Sequence, residues 1–192
     1  MHASVVAGIF IGGGSTRMGG RPKGLLVAPS GETLVERWKR LFAALSIPCV
    51  LVGERARSAY ASAGLEVLTD ARTEDELGPL GGLLALLDHA GESGAIAIAC
   101  DMPFVSAELL RRLAETRSPA PALAARRDGR WEPFFARYDA KAVLPIANAH
   151  ADAERGSLQA LLDAVSAEDL AMSDAEHAEL RDWDAPGDVA TR

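Results

Sequence analysis

Cysteine is scarce in this sequence, and long apolar runs are missing from it. Cys49 and Cys100 are the only cysteines among 192 residues, and no C-x-x-C or metal-type spacing relates them. A disulfide framework is therefore not indicated, and reduced thiols in the cytoplasm are the default. No apolar run approaches the roughly 18–20 residues that a membrane-spanning helix needs. The apolar segment 5–11 lacks a preceding basic region and runs into glycines, so it is typical of a strand rather than a signal peptide.

An excess of positive charge is also lacking. Lysine and arginine number 20 against 27 aspartates and glutamates, which gives a net charge of −7. A nucleic-acid surface needs the opposite balance, so nucleic acid is excluded as a general partner, whereas one small phosphate ligand on a local basic loop is not. With 48% hydrophobic and 24% charged residues, the composition is that of an ordinary globular protein and not of a fibrous or disordered one. The length of 192 residues predicts one domain, or a large domain with a small appendage.

Several familiar catalytic signatures are absent as well. The Walker A pattern fails because Gly20 and then Arg21 follow Gly19, where a glycine must be followed by lysine. The dinucleotide pattern G-x-G-x-x-G fails because Arg17 stands where its third glycine is needed, which disfavours a simple dehydrogenase. No nucleophile elbow occurs, and the histidines have no partners at metal or triad spacing; they are His2, His89, His150 and His177. The chemistry of this chain must therefore be sought in other segments.

Short apolar runs alternate with amphipathic segments through the first part of the chain. The pattern predicts strands at 5–11, 49–52, 66–69 and 95–100, and helices at 32–45, 55–63, 83–89 and 106–113. Beyond them we predict a hairpin around Asp128 and Gly129, followed by helices at 140–150 and 157–165. Alternation of strands and helices is typical of an α/β domain with a mainly parallel sheet.

The glycine-rich segment 12–23 is the first indication of a ligand. It follows the first predicted strand, and open α/β folds bind ligands at the carboxyl ends of their strands. Glycines let the backbone approach a ligand and expose its N–H groups to anions. Arg17, Arg21 and Lys23 add three cations within seven residues of a chain whose net charge is −7. A polyphosphate is the natural counterpart of such a loop.

Asp101 marks a second candidate position. It ends the strand predicted at 95–100, and Pro103 turns the chain away from the sheet. A carboxylate there would lie beside phosphates bound by the glycine-rich loop, and Mg²⁺ prefers one or two carboxylates plus phosphate oxygens and water. From the residues alone, a metal ligand and an ordinary turn or capping aspartate are equally open.

Four segments together resemble a known family, the molybdenum cofactor nucleotidyltransferases or MobA-like NTP transferases. They are the glycine-rich loop with Arg17-Met18-Gly19, Asp70 followed by Gly-Pro-Leu-Gly-Gly at 78–82, Cys-Asp-Met-Pro at 100–103, and Asp-x-Asp-x-Pro at 182–186. They occur in the family's order and span nearly the whole chain. The resemblance implies a Rossmann-like three-layer nucleotidyltransferase fold, with a nucleotide half at about 1–105 and a pterin-substrate half at about 106–192.

The resemblance also implies roles for individual residues. Arg17, Lys23 and Asp101 would be catalytic, and Asp101 would hold Mg²⁺. Asp182 or Asp184 is a candidate second carboxylate for that metal, although the guanylyltransferase branch often has asparagine there, and a solvated acidic tail is equally open. The nucleotide-binding set would be Ile11, Gly12, Gly13, Gly14, Arg17, Gly19, Lys23, Asp70, Gly78, Pro79, Leu80 and Gly81.

The implied reaction is transfer of GMP from GTP to molybdopterin, with release of pyrophosphate and formation of molybdopterin guanine dinucleotide. Gly12 favours the guanylyltransferase branch, since cytidylyltransferases of the family typically carry alanine there. A CTP-using or sugar-phosphate-using relative is the alternative, and a non-catalytic nucleotide-binding module is a further hypothesis. GTP and molybdopterin are the expected partners, without nucleic acid or membrane. Transient contact with proteins that supply molybdopterin, or with the molybdoenzymes, is compatible with the resemblance.

The second half of the chain carries weaker resemblances. Arg126, Arg127 and Arg130 form a basic cluster around the predicted hairpin turn, which would either meet the pterin phosphate or form a solvated turn. Glu132 and Pro133 stand where the family often has His-Pro, a departure that leaves substrate contacts from this stretch open. The segment 155–158 resembles one that meets the pterin in the family.

Overall fold

The computed structural model describes residues 4–11, 22–53, 57–69 and 77–183, which form a sheet covered by helices on both faces. The sheet has seven strands in the order β3-β2-β1-β4-β6-β5-β7. Strands β1 to β4 are mutually parallel, β6 is antiparallel to β4 and β5, and β7 is parallel to β5. The predicted mainly parallel α/β sheet is therefore confirmed. The strands are β1 (Val5–Phe10), β2 (Cys49–Val52), β3 (Val67–Leu68), β4 (Gly94–Ala99), β5 (Ala122–Arg127), β6 (Arg130–Asp139) and β7 (Glu168–Asp169).

Six α-helices are present in the described part of the chain, and several of them begin at a residue whose side chain caps the helix. Thr33 caps α1 through a capping box with Glu36, and the side chains of Ser106, Asp139 and Ser157 each accept a backbone N–H at the start of a later helix. Single 3-10 helices cover Lys23–Leu25 and Arg57–Ala63. The α-helices are α1 (Leu34–Ala44), α2 (Pro79–Ala90), α3 (Ala107–Glu115), α4 (Ala140–Asp152), α5 (Leu158–Ala164) and α6 (Asp174–Glu179). None of the helices in the described ranges is long and apolar enough to cross a membrane.

The core is divided between the two faces of the sheet. Because side chains alternate along a strand, Ile96 and Ile98 of β4 pack on one face with Trp38 of α1, whereas Ala95 and Ala97 face α2 and α4. Gly8 lies where α2 crosses β1, and a Cβ atom at Gly8 would be 2.6 Å from a terminal carbon of Leu86. The glycine in this apolar strand therefore allows the helix to pack closely on the sheet. The two clusters account for the three-layer arrangement expected from the resemblance.

Helix α2 begins earlier than the sequence pattern predicts. The segment 78–82 is not a loop before the helix: Gly78 is the N-cap, with a φ of +56°, and Pro79 is the first helical residue. Proline favours the first helical position because its missing N–H would have no partner there. Glycines at 81 and 82 indicate a turn locally, but both lie within α2. Glycine at 82 allows the helix to pack closely on the sheet, since a Cβ atom there would lie 3.0 Å from Phe10 and Val52.

The C-terminal segment also differs from its prediction. Helix α6 and strand β7 were not predicted, although Ser173 and Glu176 form a capping box that the sequence spells out as Ser-x-x-Glu. Asp182 lies in an irregular stretch after α6 and not in a strand. Asp184 lies outside the described residues.

Contacts of α6 return the end of the described chain to the carboxyl edge of the parallel strands. Glu179 accepts a hydrogen bond from the backbone of Ser106 at 2.7 Å, and Arg112 pairs with Glu176. Further along, the backbone N–H of Trp183 donates to the carbonyl of Asp101 at 2.9 Å. The indole of Trp183 is buried in a small cluster with Leu26, Ala28, Leu34 and Phe104. The segment that contains Asp182 is thereby fixed beside Asp101.

Candidate active site

The carboxyl ends of β1 and β4 meet at the centre of the sheet. Cys100 donates its backbone N–H to the carbonyl of Phe10 at 3.1 Å, and Ile11 donates to Val52 at 3.0 Å. Ile11 is buried and leads directly into the glycine-rich loop, and its role beside a bound nucleotide stays a prediction. A ligand on that loop would therefore lie at the central strands of the sheet, where parallel α/β folds bind ligands.

Lys23 and Asp101 form an ion pair at this edge. The distance from Lys23 Nζ to Asp101 Oδ2 is 2.6 Å, although 78 positions separate the two residues in the chain. Their side chains are only 23% and 14% exposed, so the pair is largely shielded from solvent. The structure thus brings together two of the three residues predicted to be catalytic. A lysine beside a carboxylate at a strand end offers one cation for phosphate oxygens and one anion for a metal.

The segment 78–82 supplies a helix N-terminus at the same edge, because α2 follows the carboxyl end of β3. Pro79 is exposed, whereas Leu80 is fully buried in the core and Gly81 is buried. Leu80 therefore has only its backbone to offer to a nucleotide. Unpaired N–H groups at a helix N-terminus favour electron-rich partners such as phosphate or carbonyl oxygens.

Other predicted site residues lie outside the described part of the chain. The glycine-rich loop 12–21 and Asp70 are not described, so their roles stay predictions. The residues concerned are Gly12, Gly13, Gly14, Arg17, Gly19, Asp70 and Asp184.

The β5–β6 hairpin reaches the same edge because β6 runs antiparallel to β4, so the start of β6 lies beyond the carboxyl end of β4. Between the pairs Ala124–Ala136 and Ala125–Glu132, the β5–β6 register shifts and residues 133–135 have no partner in β5, although Phe135 stays paired with Ile98 of β4. At this bulge, Phe134 packs on Phe10 at the end of β1, with ring centroids 4.6 Å apart. A proline at position 133, which cannot donate to a ladder, suits such a bulge. The hairpin therefore packs against the carboxyl end of β1, at the same edge of the sheet as Lys23 and Asp101.

Two arginines of the basic cluster at the hairpin are engaged within the protein. The guanidinium of Arg126 lies over the indole of Trp131, 4.3 Å from the ring centre. Arg127 Nε contacts Glu132 Oε1 at 2.8 Å, and the Glu132 side chain is only 17% exposed. Sequence reasoning treated Glu132 as a departure from the family and missed this ion pair. The predicted hairpin around Asp128 and Gly129 was the signal that could have indicated this ion pair, since it brings positions 127 and 132 close together.

Glu132 is a largely buried carboxyl at this edge. Burial raises the pKa of Glu132 above its usual value; Arg127 opposes the rise and the negative charge of Asp182 adds to it. The carboxyl edge thus carries Asp101, Asp182 and Glu132, with Lys23 paired to Asp101 and Arg127 paired to Glu132.

The raised pKa of Glu132 predicts a pH dependence of stability. Since the folded state favours the protonated carboxyl, the stabilisation is complete below the unfolded pKa of 4.5 and is lost as pH rises through the folded pKa. Between about pH 4 and pH 7, we expect the wild type to lose free energy of unfolding relative to Glu132→Gln, which has no titrating group there. Urea unfolding of both proteins across that interval measures the difference. A relative gain by the wild type would contradict the assignment.

The residues present fit a magnesium ion that is shared with a substrate. Among the described residues, no group of three or more metal-ligating side chains forms a complete cage. Mg²⁺ does not need one, since it is commonly held by one or two carboxylates together with substrate phosphates and water. Asp101 at the strand end, with Asp182 in the segment fixed beside it, matches that donor set.

Comparison with known proteins identifies the family. The model of the MobA-like NTP transferase domain matches residues 7–171. The chain belongs to this family. Among curated members, a molybdenum cofactor guanylyltransferase from Pseudomonas putida is 38% identical over 171 residues, covering 86% of this chain and 87% of the relative. A protein of the same name from Serratia proteamaculans (strain 568) is 31% identical over 173 residues, covering 90% and 86%.

Solved structures of MobA-like and related nucleotidyltransferases share the fold. A molybdopterin-guanine dinucleotide biosynthesis protein A from Archaeoglobus fulgidus has a TM-score of 0.76 at 21% identity, covering 96% of this chain and 94% of its own. A 2-C-methyl-D-erythritol 4-phosphate cytidylyltransferase from Thermus thermophilus has a TM-score of 0.65 at 18% identity, covering 99% and 96%. The family resemblance and the nucleotidyltransferase fold are thus confirmed, and this MobA-like chain is a nucleotidyltransferase.

Proposed function

We propose that this chain transfers GMP from GTP to molybdopterin, forming molybdopterin guanine dinucleotide and releasing pyrophosphate. The observation that carries the proposal is the Lys23–Asp101 ion pair at the carboxyl ends of the central strands. At these strand ends we expect the phosphates of a nucleoside triphosphate that is bound to the glycine-rich loop. The names of the curated relatives support the choice of GTP and molybdopterin.

The proposed reaction is an in-line displacement. The terminal phosphate of molybdopterin attacks the α-phosphorus of GTP, a new P–O bond forms, and the bond to the β-phosphate breaks as pyrophosphate leaves. The attacking phosphate is already an anion, so no general base is required. Lys23 and Arg17 would bind the phosphates and balance the negative charge that develops on them. Catalysis then consists of positioning and charge stabilisation.

Asp101 would hold Mg²⁺ in this reaction, with Asp182 or Asp184 as the candidate second carboxylate. Bound magnesium would neutralise negative charge on the α-phosphate and on the leaving pyrophosphate. The role of Lys23 in the nucleotide-free protein is to keep the Asp101 carboxylate paired. When a triphosphate binds, the ammonium would gain phosphate oxygens as partners, and the Asp101 carboxylate would be available to hold the metal.

CTP is the alternative nucleotide, because a cytidylyltransferase has a similar fold and the fold does not indicate which base is bound. Gly12 and the Gly-Pro-Leu-Gly-Gly segment at 78–82 support GTP, whereas Asp182 in place of the asparagine common in guanylyltransferases supports the alternative. We also propose a cytoplasmic location, which the two unpaired thiols of Cys49 and Cys100 support.

Pyrophosphate release from GTP, CTP, ATP and UTP, measured with and without molybdopterin, tests the proposal. We expect release that requires molybdopterin and is fastest with GTP. A preference for CTP would contradict the guanylyl assignment. Nucleotide binding without turnover would instead favour the non-catalytic module.

A further inference from the structure

The backbone next to Lys23 is held by a buried tyrosine. The N–H of Gly24 donates to the hydroxyl oxygen of Tyr60 at 3.1 Å. Tyr60 is 1% exposed and lies in the 3-10 helix Arg57–Ala63, 36 positions away from Gly24. Lys23 and Gly24 belong to the same short 3-10 helix, so this hydrogen bond acts one residue from the ammonium that pairs with Asp101.

Packing around Gly24 makes this contact tight. A Cβ atom at Gly24 would lie 2.7 Å from Val35 Cγ2 and 2.8 Å from the Tyr60 hydroxyl. Both neighbours are buried, and Val35 lies within helix α1. The backbone of Gly24 is thus pressed between α1 and Tyr60, with its N–H aimed at the phenol oxygen.

Tyr60 also packs in the core cluster that contains Cys100, the residue before Asp101. Burial raises the pKa of the Tyr60 hydroxyl, and the neighbouring Cys100 and Asp101 add to the rise. On that side, the indole N–H of the fully buried Trp38 donates to the carbonyl of Cys100 at 3.2 Å. Trp38 therefore anchors the strand end that carries Asp101, and Tyr60 anchors the helix that carries Lys23.

We propose that Tyr60 is a positioning residue, whose hydroxyl fixes Gly24 and thereby sets the Lys23 ammonium for the nucleotide phosphates. A buried N–H without a partner is unfavourable, so the backbone of Gly24 must shift if the hydroxyl is lost. Phenylalanine at this position would keep the ring in the core and remove only the acceptor. The kinetic part of the inference rests on the proposed function, because it assigns the phosphates to Lys23.

The chain offers a matched control for this tyrosine. Tyr138, the only other tyrosine, is also fully buried, and its hydroxyl donates to the carbonyl of Pro133 at 2.8 Å. Tyr138 packs on the opposite face of the sheet, in the cluster that faces α2 and α4. Tyr60→Phe and Tyr138→Phe therefore each remove one buried hydroxyl that hydrogen-bonds to the backbone, and only the first adjoins Lys23.

Two measurements test the proposal. The first compares the nucleotide-free crystal structures of wild type, Tyr60→Phe and Tyr138→Phe, where we expect Lys23 Nζ to leave Asp101 only in Tyr60→Phe. The second is GTP binding by calorimetry, with kcat/KM for GTP and KM for molybdopterin. For Tyr60→Phe we expect about 3- to 10-fold weaker GTP binding and a similar fall in kcat/KM for GTP, with KM for molybdopterin unchanged.

The outcomes separate positioning from plain core packing. If Tyr60→Phe and Tyr138→Phe lose similar stability but both keep the Lys23–Asp101 contact and wild-type GTP binding, Tyr60 is only a core residue and the proposal is overturned. A wild-type chain that binds no nucleotide would contradict the proposed function instead. In that case the crystal structures alone still decide whether Tyr60 positions Lys23.

Discussion

Lys23→Met is expected to lower kcat/KM for the nucleotide by about 100- to 1,000-fold, the scale of losing one preorganised charge at a transition state. Methionine keeps most of the length of the side chain but removes the ammonium. Without it, the phosphates of the nucleotide lose a cation at the strand ends, and Asp101 loses its counterion. Steady-state kinetics with GTP and molybdopterin measure the loss, and thermal unfolding checks that the variant is folded.

The chain has only three lysines, which makes the control simple. Lys141 pairs with Glu92 at 2.7 Å, but its side chain is 69% exposed. It lies in the first turn of α4, at the opposite edge of the sheet. Lys141→Met should therefore leave kcat/KM close to that of the wild type, as expected for an exposed pair. Equal losses in the two variants, or near-normal activity of Lys23→Met, would show that Lys23 has no special role.

Asp101→Asn is expected to abolish magnesium-dependent turnover, with a loss of about 1,000-fold or more. Asparagine has nearly the same shape and keeps one oxygen that can accept a hydrogen bond from Lys23. The fold should therefore survive, because the backbone carbonyl that Trp183 contacts is unaffected. The substitution removes the negative charge, which is what Mg²⁺ requires of this position. Activity across a magnesium titration measures the effect, and calorimetry of magnesium binding with GTP present gives a second readout.

Asp139→Asn provides the matched control for this change. Asp139 caps α4 by accepting the backbone N–H of Ala142 at 3.1 Å, and asparagine caps helices about as well. It lies at the end of β6, away from the carboxyl ends of the parallel strands. We expect normal magnesium activation in this variant. An active Asp101→Asn enzyme with an unchanged magnesium dependence would remove Asp101 from the metal site.

Most of the sheet could be predicted from local signals in the sequence. β1, β2 and β4 are short apolar runs buried on both faces, and their apolar length is the pattern that parallel strands require. The starts of α1 and α3 were predicted because Thr33 and Ser106 supply side-chain oxygens at the first turns. Where both periodicity and a cap were present, prediction and structure differ by a residue or two.

Elements that depend on tertiary packing were harder to predict. Glycine at 81 and 82 indicates a turn locally, but α2 includes both residues, and glycine at 82 serves the close packing of α2 on Phe10 and Val52. Helix α6 is short and has no buried residues of its own, so no apolar periodicity marked it. Its position instead depends on long-range contacts such as that of Glu179 with Ser106.

In the candidate site, too, single residues could be predicted from local signals, whereas the contacts between them depend on tertiary packing. Lys23 and Asp101 were each predicted from their place after a strand and from the family resemblance, but their direct contact depends on how residues 22–26 fold against α1 and Tyr60. Tyr60 carries no motif at all, since a single aromatic residue among alanines and serines has no periodic pattern of large apolar residues. Likewise, the predicted hairpin brings positions 127 and 132 close together, but it does not by itself indicate that the side chains of Arg127 and Glu132 form an ion pair.

A crystal structure with a non-hydrolysable GTP analogue and Mg²⁺ tests the central claim most directly. We predict that the phosphates occupy the carboxyl edge of the sheet, with Lys23 Nζ on phosphate oxygens and Asp101 as a ligand of the metal. The 2.6 Å contact between Lys23 and Asp101 would then be exchanged for these new partners. A cleft of about 890 Å³ lies at the opposite edge of the sheet, lined by residues such as Ser4, Gly94 and Asp139. It is the alternative place in the same protein where a nucleotide could bind. Nucleotide bound there, with the Lys23–Asp101 pair unchanged, would contradict the account.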